Sequence, residues 1–245
     1  MIRTLTPLAI AATVLLAWQA LVTLAALPPF ILPGPWRVAK ALAENADLIA
    51  WHAGVTLTEV ILGLILGSLL GAGTALQLAI SPVARRLLRP VLVLTQALPV
   101  FALAPILTLW LGYGLESKIL MAVLIIYFPV TSAFFDGLMH TPRGWLDLAQ
   151  TMQARPRHVL WRIRVPAALP SLASGLRLAA VYAPIGAIIG EWVGASQGLG
   201  YLMLLANGRA KIDLMFAALA VLAVMTLLLH KAVGIACDRL VARLN

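Results

Sequence analysis

Charged residues are scarce in this sequence: only 11% of its 245 residues are Asp, Glu, Lys or Arg, whereas 62% are hydrophobic. Soluble domains carry about 25% charged residues, because a folded chain needs a hydrated surface. The shortage therefore argues against a soluble fold and for a membrane protein. Cysteine is also nearly absent. With Cys237 alone, the chain forms neither an internal disulfide nor a cysteine-only metal cluster.

Sequence patterns for energy use and catalysis are missing as well. There is no G-x-x-x-x-G-K-[ST] nucleotide-binding loop, so any energy must come from another chain or from an ion gradient. The four histidines lie in different segments without metal-ligand spacing, and no serine lies in a nucleophile elbow. We therefore expect a protein that is not an enzyme and that binds no metal or cofactor itself.

Hydrophobic runs of about 20 residues, the length that crosses a bilayer, make up most of the sequence. We predict six spans, at about residues 5–27, 53–80, 90–111, 119–138, 169–193 and 214–235. The first run is longer than the core of a signal peptide, about 7–15 residues, which favours a retained anchor. No internal repeat or separate soluble domain is seen, so residues 1–245 are expected to form one all-α membrane domain, with its core spans at about 53–235.

Basic residues are distributed unevenly between the two sides of these spans. If the N-terminus is cytoplasmic, twelve of them lie inside, namely Arg3, Arg85, Arg86, Arg89, Arg143, Arg155, Arg157, Arg162, Arg164, Lys231, Arg239 and Arg243. Five lie outside, namely Arg37, Lys40, Lys118, Arg209 and Lys211. This distribution follows the positive-inside rule and predicts that both termini are cytoplasmic. The net charge of +9 then reports topology, and no nucleic-acid partner is needed to explain it.

A short basic segment, residues 141–166, separates the predicted fourth and fifth spans. Its first helix is predicted to begin at Thr141 and Pro142, because threonine caps free amide groups and proline fits the first helical position. The apolar residues that follow recur at helical spacing and form one stripe, namely Trp145, Leu148, Ala149 and Met152. One face of this first helix is therefore apolar.

A second helix is expected to open at Pro156, because a proline disfavours helical geometry at the residue before it, here Arg155. We expect this helix to end near Val165, since Pro166 follows. The two helices would form a rigid helix–turn–helix on the cytoplasmic face, too short to cross the bilayer. A basic loop that rests on anionic lipid headgroups is the alternative that composition leaves open.

The order of residues in this segment resembles a cytoplasmic motif of permease subunits of ATP-binding-cassette (ABC) importers: E-A-A, three residues, G, nine residues, I-x-L-P. The matching positions hold Asp147, Leu148 and Ala149, then Gln153, then Ile163, Val165 and Pro166. The spacing is matched throughout. Gln153 is the most serious departure, because glycine at this position would ease a turn with positive backbone angles.

The resemblance extends along nearly the whole chain. The stretches "LPGPWRVAKAL", "QALPVFALAPILTLWLGYG" and "GEWVGASQGLGYLM" look like the taurine, sulfonate and nitrate branch of these permeases. The stretch "IIYFPVTSAFFDGL" followed by "TPRGWLDLAQTM" is most similar to members assigned to hydroxymethylpyrimidine, a thiamine precursor. The resemblance implies an inner-membrane permease for such a solute, with a sulfonate, taurine or nitrate-like solute as the alternative. An ion-gradient-driven carrier is a further alternative, but no dense Asp/Glu/His relay crosses the spans.

The resemblance also implies partners: two copies of an ABC ATPase that uses ATP and Mg²⁺, a second copy of this permease, and an extracytoplasmic solute-binding protein. In such importers the motif helix docks on the ATPase. The residues expected to take part in coupling are Trp145, Asp147, Leu148, Ala149, Met152, Gln153, Arg155, Pro156, Arg157, Ile163 and Pro166.

Prolines, aromatic residues and polar residues in the third and fifth spans are candidates for the substrate path. Prolines within spans free backbone carbonyls and bend helices, and aromatic rings offer stacking faces to a flat solute. The candidates are Gln96, Pro99, Phe101, Trp110, Tyr182, Pro184 and Glu191. Ordinary helix kinks, packing and interfacial aromatic belts explain the same residues equally well.

Two further expectations concern packing and charge. Gly63, Gly67 and Gly71 form a small-xxx-small ladder that permits close helix approach. Arg177 lies within the fifth span and is costly to bury alone, so we expect either Asp136 as its partner or a side chain that extends to the cytoplasmic surface. Glu59 and Glu191, the acids of the second and fifth spans, lie toward the outer ends of those spans.

Overall fold

The computed structural model describes residues 2–97 and 99–242, and it describes their side chains except at residues 2–8, 89, 93, 96 and 97. All regular elements within this part are helical, which confirms the all-α prediction. In chain order they are α1 (Ile2–Leu24), α2 (Pro35–Glu44), α3 (Ala46–Ile80), α4 (Pro82–Ala97), α5 (Val100–Leu111), α6 (Leu115–Met139), α7 (Arg143–Thr151), α8 (Pro156–Val159), a π turn (Leu160–Arg164), α9 (Val165–Gly194), α10 (Leu199–Gly208) and α11 (Ile212–Ala242).

Local sequence signals explain several helix starts. Pro35 and Pro82 occupy the first positions of α2 and α4, where a missing backbone N–H costs nothing. The hydroxyl of Ser81 accepts a hydrogen bond from the Ala84 amide at 3.1 Å and so caps α4. Asp47 and Glu116 lie in the first turns of α3 and α6, where a negative charge favours the helix dipole.

Four helices are long and apolar enough to cross a membrane, and they correspond to the predicted second, fourth, fifth and sixth spans. They are Ala46–Ile80, Leu115–Met139, Pro156–Gly194 and Ile212–Ala242. Shorter apolar helices, Ala9–Leu24 and Val100–Leu111, occupy the predicted first and third spans. The multi-pass fold is therefore confirmed, whereas the count of six spans remains a prediction.

The predicted third span, residues 90–111, is divided between α4 and α5. Pro99 lies at the division with an extended backbone conformation, ψ 112°. Because proline has no N–H to donate and restricts the residue before it, a regular helix is interrupted here.

The core forms where α6 packs between α3 and α9. A Cβ atom placed on Gly63 of α3 would lie 2.5 Å from the Ala122 side chain, and one on Gly186 of α9 would lie 2.6 Å from the Ala122 backbone. Gly67 and Gly71 continue the contact, since a Cβ there would lie 3.1 Å from Ile126 and 3.0 Å from the Tyr127 carbonyl oxygen. The predicted glycine ladder therefore brings helices together within one chain.

The second helix of the inserted segment does not end near Val165, contrary to the prediction. It continues through the π turn into α9 and forms one helix from Pro156 to Gly194. The Val165 amide bonds to the carbonyl of Leu160, five residues earlier, as in a π turn. Pro166 then lies in the first turn of α9. The wider turn shifts the bonding pattern before the proline, so the helix tolerates the ring and the missing N–H.

Arg177 pairs with Asp238 of α11, so the predicted pairing with Asp136 is wrong. The side chain of Asp136 instead accepts a hydrogen bond from the Ser132 hydroxyl at 3.4 Å, one turn earlier on α6. The Arg177–Asp238 ion pair joins α9 to α11. It also leaves the Asp136 carboxylate without the guanidinium partner that the sequence suggested.

Candidate functional site

The turn after α7 has the backbone geometry that its motif position requires. The Gln153 amide donates to the Gln150 carbonyl at 2.9 Å, and the Ala154 amide donates to the Ala149 carbonyl at 2.9 Å. These two bonds form a Schellman motif, which places the residue after the cap in a left-handed conformation. Gln153 accordingly has a φ of 54°, at an expected cost of about 1 kcal/mol relative to glycine. The glycine-type turn is therefore retained without glycine.

A groove of about 750 Å³ lies between α7 and the start of the long helix Pro156–Gly194. Six residues predicted for coupling line it, namely Trp145, Leu148, Ala149, Met152, Ile163 and Pro166. Trp145, Leu148 and Met152 expose 54%, 61% and 73% of their surface. The structure thus brings the two halves of the motif together around one apolar surface that residues 2–97 and 99–242 leave exposed, and such surfaces mark docking sites.

The remaining predicted coupling residues do not line the groove but are close in sequence to residues that do, and all are exposed, namely Asp147, Gln153, Arg155, Pro156 and Arg157. The groove also contains His158, Arg162 and Val241, which the sequence analysis did not single out. Arg162 lies four residues after His158, so the two share a face of the helix that was predicted to begin at Pro156. The contribution of Val241 depends on the end of α11 lying beside α9, and no local pattern encodes this contact.

A second cavity, of about 510 Å³, lies between the α4–α5 region, α6 and α9. Its wall contains Phe128, Ser132 and Asp136 from α6, and Leu178 and Tyr182 from α9. The α6 residues recur at intervals of three or four and so share one face of the helix. The cavity combines two aromatic rings with a hydroxyl and a carboxylate, which is typical of a site for a small polar solute.

The predicted path residues are dispersed across the structure. Tyr182 lines the second cavity, while Pro99 and Phe101 flank Val100, another of its lining residues. Trp110 lies further along α5 and is 75% exposed. The others are placed as follows: Pro184 lines a separate apolar groove between α9, α10 and α11, Glu191 is buried, and the Gln96 side chain lies outside the described residues.

Glu191 is the centre of a buried polar cluster at the opposite end of α9 from the groove. Its carboxylate accepts hydrogen bonds from the Thr56 hydroxyl at 2.6 Å and from the Gly200 amide. The Leu199 amide donates to Thr56 at 2.8 Å. Glu191 is only 1% exposed. Its bond to the Gly200 amide places the carboxyl group at the N-terminus of α10, where the helix dipole favours a negative charge. This arrangement ties α3, α9 and α10 together.

Lys118 belongs to the same region and is 2% exposed. Its ammonium group donates to the carbonyl oxygens of Tyr113 at 2.6 Å and Gly194 at 2.8 Å. Glu59, 3% exposed, adds a second carboxyl group beside Glu191. Lys118 was predicted to lie outside the spans, because Glu59, Lys118 and Glu191 are far apart in sequence. The sequence offered one signal for this cluster: an acid lies near the outer end of each of two spans, and a lysine lies at the start of a third.

Comparisons with known proteins agree with these features. Residues 63–245 match the family described as binding-protein-dependent transport system inner membrane component. The chain is 53% identical over 229 residues to a probable ABC transporter permease protein of Haemophilus influenzae, covering 94% of each chain. It is 40% identical to the formylaminopyrimidine transport permease protein ThiX of Halalkalibacterium halodurans, covering 71% of this chain and 70% of that one. It is 37% identical to the riboflavin transport system permease protein RibX of Chloroflexus aurantiacus, covering 94% and 86%.

The fold has a solved counterpart in the MetNI methionine ABC transporter in an inward-facing conformation. The two chains superpose with a TM-score of 0.59 at 19% identity, covering 87% of this chain and 99% of that one. At this identity the similarity concerns the fold alone. Permeases named for taurine and aliphatic sulfonates also match the sequence. The predicted resemblance to ABC importer permeases of this branch is therefore confirmed.

Proposed function

Because the chain belongs to the family of binding-protein-dependent transport system inner membrane components and is a permease subunit of an ABC importer, we propose that it forms the path for a hydroxymethylpyrimidine-type thiamine precursor. The observation that carries the proposal is the 40% identity to a permease named for formylaminopyrimidine. A second relative is named for riboflavin, which is also a flat nitrogen heterocycle. The cavity that contains Phe128 and Tyr182 supplies rings on which such a solute stacks.

A sulfonate or taurine remains the second candidate substrate. The permeases named for taurine and aliphatic sulfonates are 30% and 27% identical to this chain, less than the permeases named for the two heterocycles. The lower identity makes the heterocycle the first choice. An ion-gradient-driven carrier is not supported, because membership of the importer family implies that ATP drives transport.

The exposed groove beside α7 is, in our proposal, the docking site of a separate ABC ATPase that binds ATP and Mg²⁺. Two ATPase copies, a second copy of this permease and an extracytoplasmic binding protein complete the transporter. The groove faces the cytoplasm, as do both termini. The uncovered Trp145, Leu148 and Met152 support this docking site, since large apolar side chains on a surface are the usual anchors of an interface.

The continuous helix Pro156–Gly194 supplies the mechanical link in this proposal. It spans roughly 57 Å at 1.5 Å per residue. A displacement of its first turns by the ATPase therefore reaches Tyr182 in the cavity and Glu191 at the far end without passing through a loop. Closure of the two ATPases on ATP would move the α9 helices of both permease copies and alternate the access of the path.

Uptake by the reconstituted transporter tests the substrate. The permease, its ATPase and its binding protein are placed in proteoliposomes, and the accumulation of labelled hydroxymethylpyrimidine is followed with ATP or a non-hydrolysable analogue. We expect accumulation with ATP alone, which an excess of unlabelled taurine does not reduce. ATP-driven uptake of taurine without uptake of the pyrimidine would replace the first candidate by the second.

A further inference from the structure

We propose that Asp136 and Ser132 form a subsite that binds the hydrogen-bond-donating edge of a neutral or cationic heterocycle and excludes anionic solutes. The proposal rests on the proposed function and deepens it, because it identifies the residues that distinguish an aminopyrimidine from a sulfonate. It starts from the cavity of about 510 Å³ between α4–α5, α6 and α9.

Asp136 has unused hydrogen-bonding capacity in this cavity. A carboxylate offers about four acceptor positions, and the Ser132 hydroxyl at 3.4 Å is its side-chain hydrogen-bond partner in the described part of the chain. Arg177, the cation that the sequence suggested as its partner, is bound to Asp238 instead. Asp136 is exposed to the cavity space, so a solute reaches its carboxylate without displacing a protein group.

The described part of the cavity wall carries charge of one sign. Among the described side chains that line the cavity, Asp136 alone is charged, and none is Lys, Arg or His. A fixed negative charge in a confined, partly apolar space repels a sulfonate strongly, because the effective dielectric constant there is well below that of water. The same charge attracts an amino group or a protonated ring nitrogen.

A backbone acceptor lies beside the same cavity. Pro129 has no N–H, so the carbonyl of Ile125 lacks the donor that a helix normally supplies four residues later. Both residues line the cavity. A solute with an N–H donor that reaches this carbonyl would replace the missing backbone donor.

The packing of α9 on α6 fixes the order of these groups along the cavity. Gly175 lies against Ala133 and Gly186 lies against Ala122, so the two helices run antiparallel. Tyr182 is therefore level with the region of α6 near Phe128, and Asp136 lies about 12 Å further along α6 at 1.5 Å per residue. A small heterocycle that moves along the cavity thus contacts the aromatic rings and the carboxylate one after the other, as two binding positions on one path.

The test measures binding to the permease itself, so that selection by the binding protein does not mask it. The permease–ATPase complex in nanodiscs, without binding protein, is dialysed against labelled hydroxymethylpyrimidine or against methanesulfonate. The variants are Asp136→Asn, which keeps the shape and removes the charge, and Ser132→Ala. The matched control is Asp47→Asn, an exposed aspartate in the first turn of α3 that does not line the cavity.

We expect Asp136→Asn to weaken pyrimidine binding roughly tenfold, as for loss of a hydrogen bond to a charged acceptor, and Ser132→Ala to weaken it by a smaller factor. The melting temperature of both variants should match wild type, which shows that the fold is intact, and Asp47→Asn should bind the pyrimidine normally. The wild type should bind no methanesulfonate. Unchanged pyrimidine binding by Asp136→Asn, or methanesulfonate binding by the wild type, overturns the subsite.

The two proposals fail in different ways. If the complete wild-type transporter shows no ATP-driven uptake of the pyrimidine, the proposed substrate is wrong. If the wild type takes up the pyrimidine and Asp136→Asn in nanodiscs binds it with wild-type affinity, the substrate stands and the subsite falls. A variant with a lowered melting temperature is replaced by Asp136→Ser, which also removes the carboxylate and for which we expect the same loss of binding.

Discussion

The two ends of the helix Pro156–Gly194 have opposite surroundings. At its start, Trp145, Leu148 and Met152 form an apolar surface that is more than half exposed. At its end, Glu191 is buried, and its carboxylate accepts hydrogen bonds from this same chain. The first end presents exposed apolar side chains, whereas the polar groups of the second end are hydrogen-bonded within the fold. The comparison suggests that one end receives a displacement and the other holds α10 in place against it.

The largest effect is expected from removing the carboxylate at the buried end. Glu191→Ala leaves the Gly200 amide without its acceptor and opens a cavity at a buried position, although the Thr56 hydroxyl still has the His52 carbonyl at 3.2 Å. The change should cost about 3 kcal/mol and lower the melting temperature in detergent by roughly 5–10 °C. Glu191→Gln keeps one acceptor oxygen and should fall between this variant and wild type. The matched control is Glu116→Gln, an exposed position.

The Glu191→Ala variant also tests whether the buried end of the helix has a structural role. If Glu191→Ala melts like wild type but fails to transport, the cluster is not the structural joint described above. Glu191 would then belong to the substrate path, as the sequence analysis proposed.

At the exposed end, truncation should affect assembly and not folding. Trp145→Ala is expected to weaken ATPase binding by about 2 kcal/mol, roughly 30-fold, as for a large aromatic anchor at an interface. Co-purification of the ATPase and ATP-driven uptake should both fall, while the melting temperature of the permease alone stays within about 2 °C of wild type.

The control for this change is Trp161→Ala, an exposed tryptophan in the π turn after α8 that does not line the groove. Normal assembly of Trp145→Ala together with impaired assembly of Trp161→Ala would move the docking site away from the groove. Reversing the charge at Asp147 is a milder variant of the same test, since it alters an exposed contact and leaves the apolar surface intact.

The sequence predicted those parts of the molecule that depend on local patterns. The second, fourth, fifth and sixth spans follow from uninterrupted apolar runs, and the motif spacing identified both walls of the groove before α7 and α9 were known to meet. Gln153 was recognised as the position that needs a positive φ, and its φ of 54° agrees with that reasoning.

The errors arose where distant residues meet or where a local rule has an exception. Pro166 was taken as a helix stop, but the π turn before it lets the helix continue. Arg177 pairs with Asp238 because α11 lies beside α9. No residue spacing within α6 or α9 encodes this contact between helices. For the same reason Lys118 and its two acidic neighbours were not recognised as one cluster, since they come together only through the packing of three helices.

The smallest expected effect concerns Gln153, one of two residues with positive φ that flank the long helix. Gln153 at the exposed end has a φ of 54° and Gly198 at the buried end has a φ of 108°. Gln153→Gly should stabilise α7 by up to about 1 kcal/mol, because glycine adopts this conformation without strain. The melting temperature should rise by a few degrees at most, and uptake should be unchanged.

Gln153→Ala separates backbone strain from side-chain contacts, because alanine keeps the strain and removes the amide. We expect it to melt like wild type, below Gln153→Gly. If both variants melt below wild type, the glutamine side chain contributes a contact that outweighs the strain. At the other end, Gly198→Ala should be far more harmful, since its Cβ would lie 2.2 Å from the Glu191 carboxyl carbon. The exposed end thus tolerates substitution at its turn, whereas the buried end requires glycine.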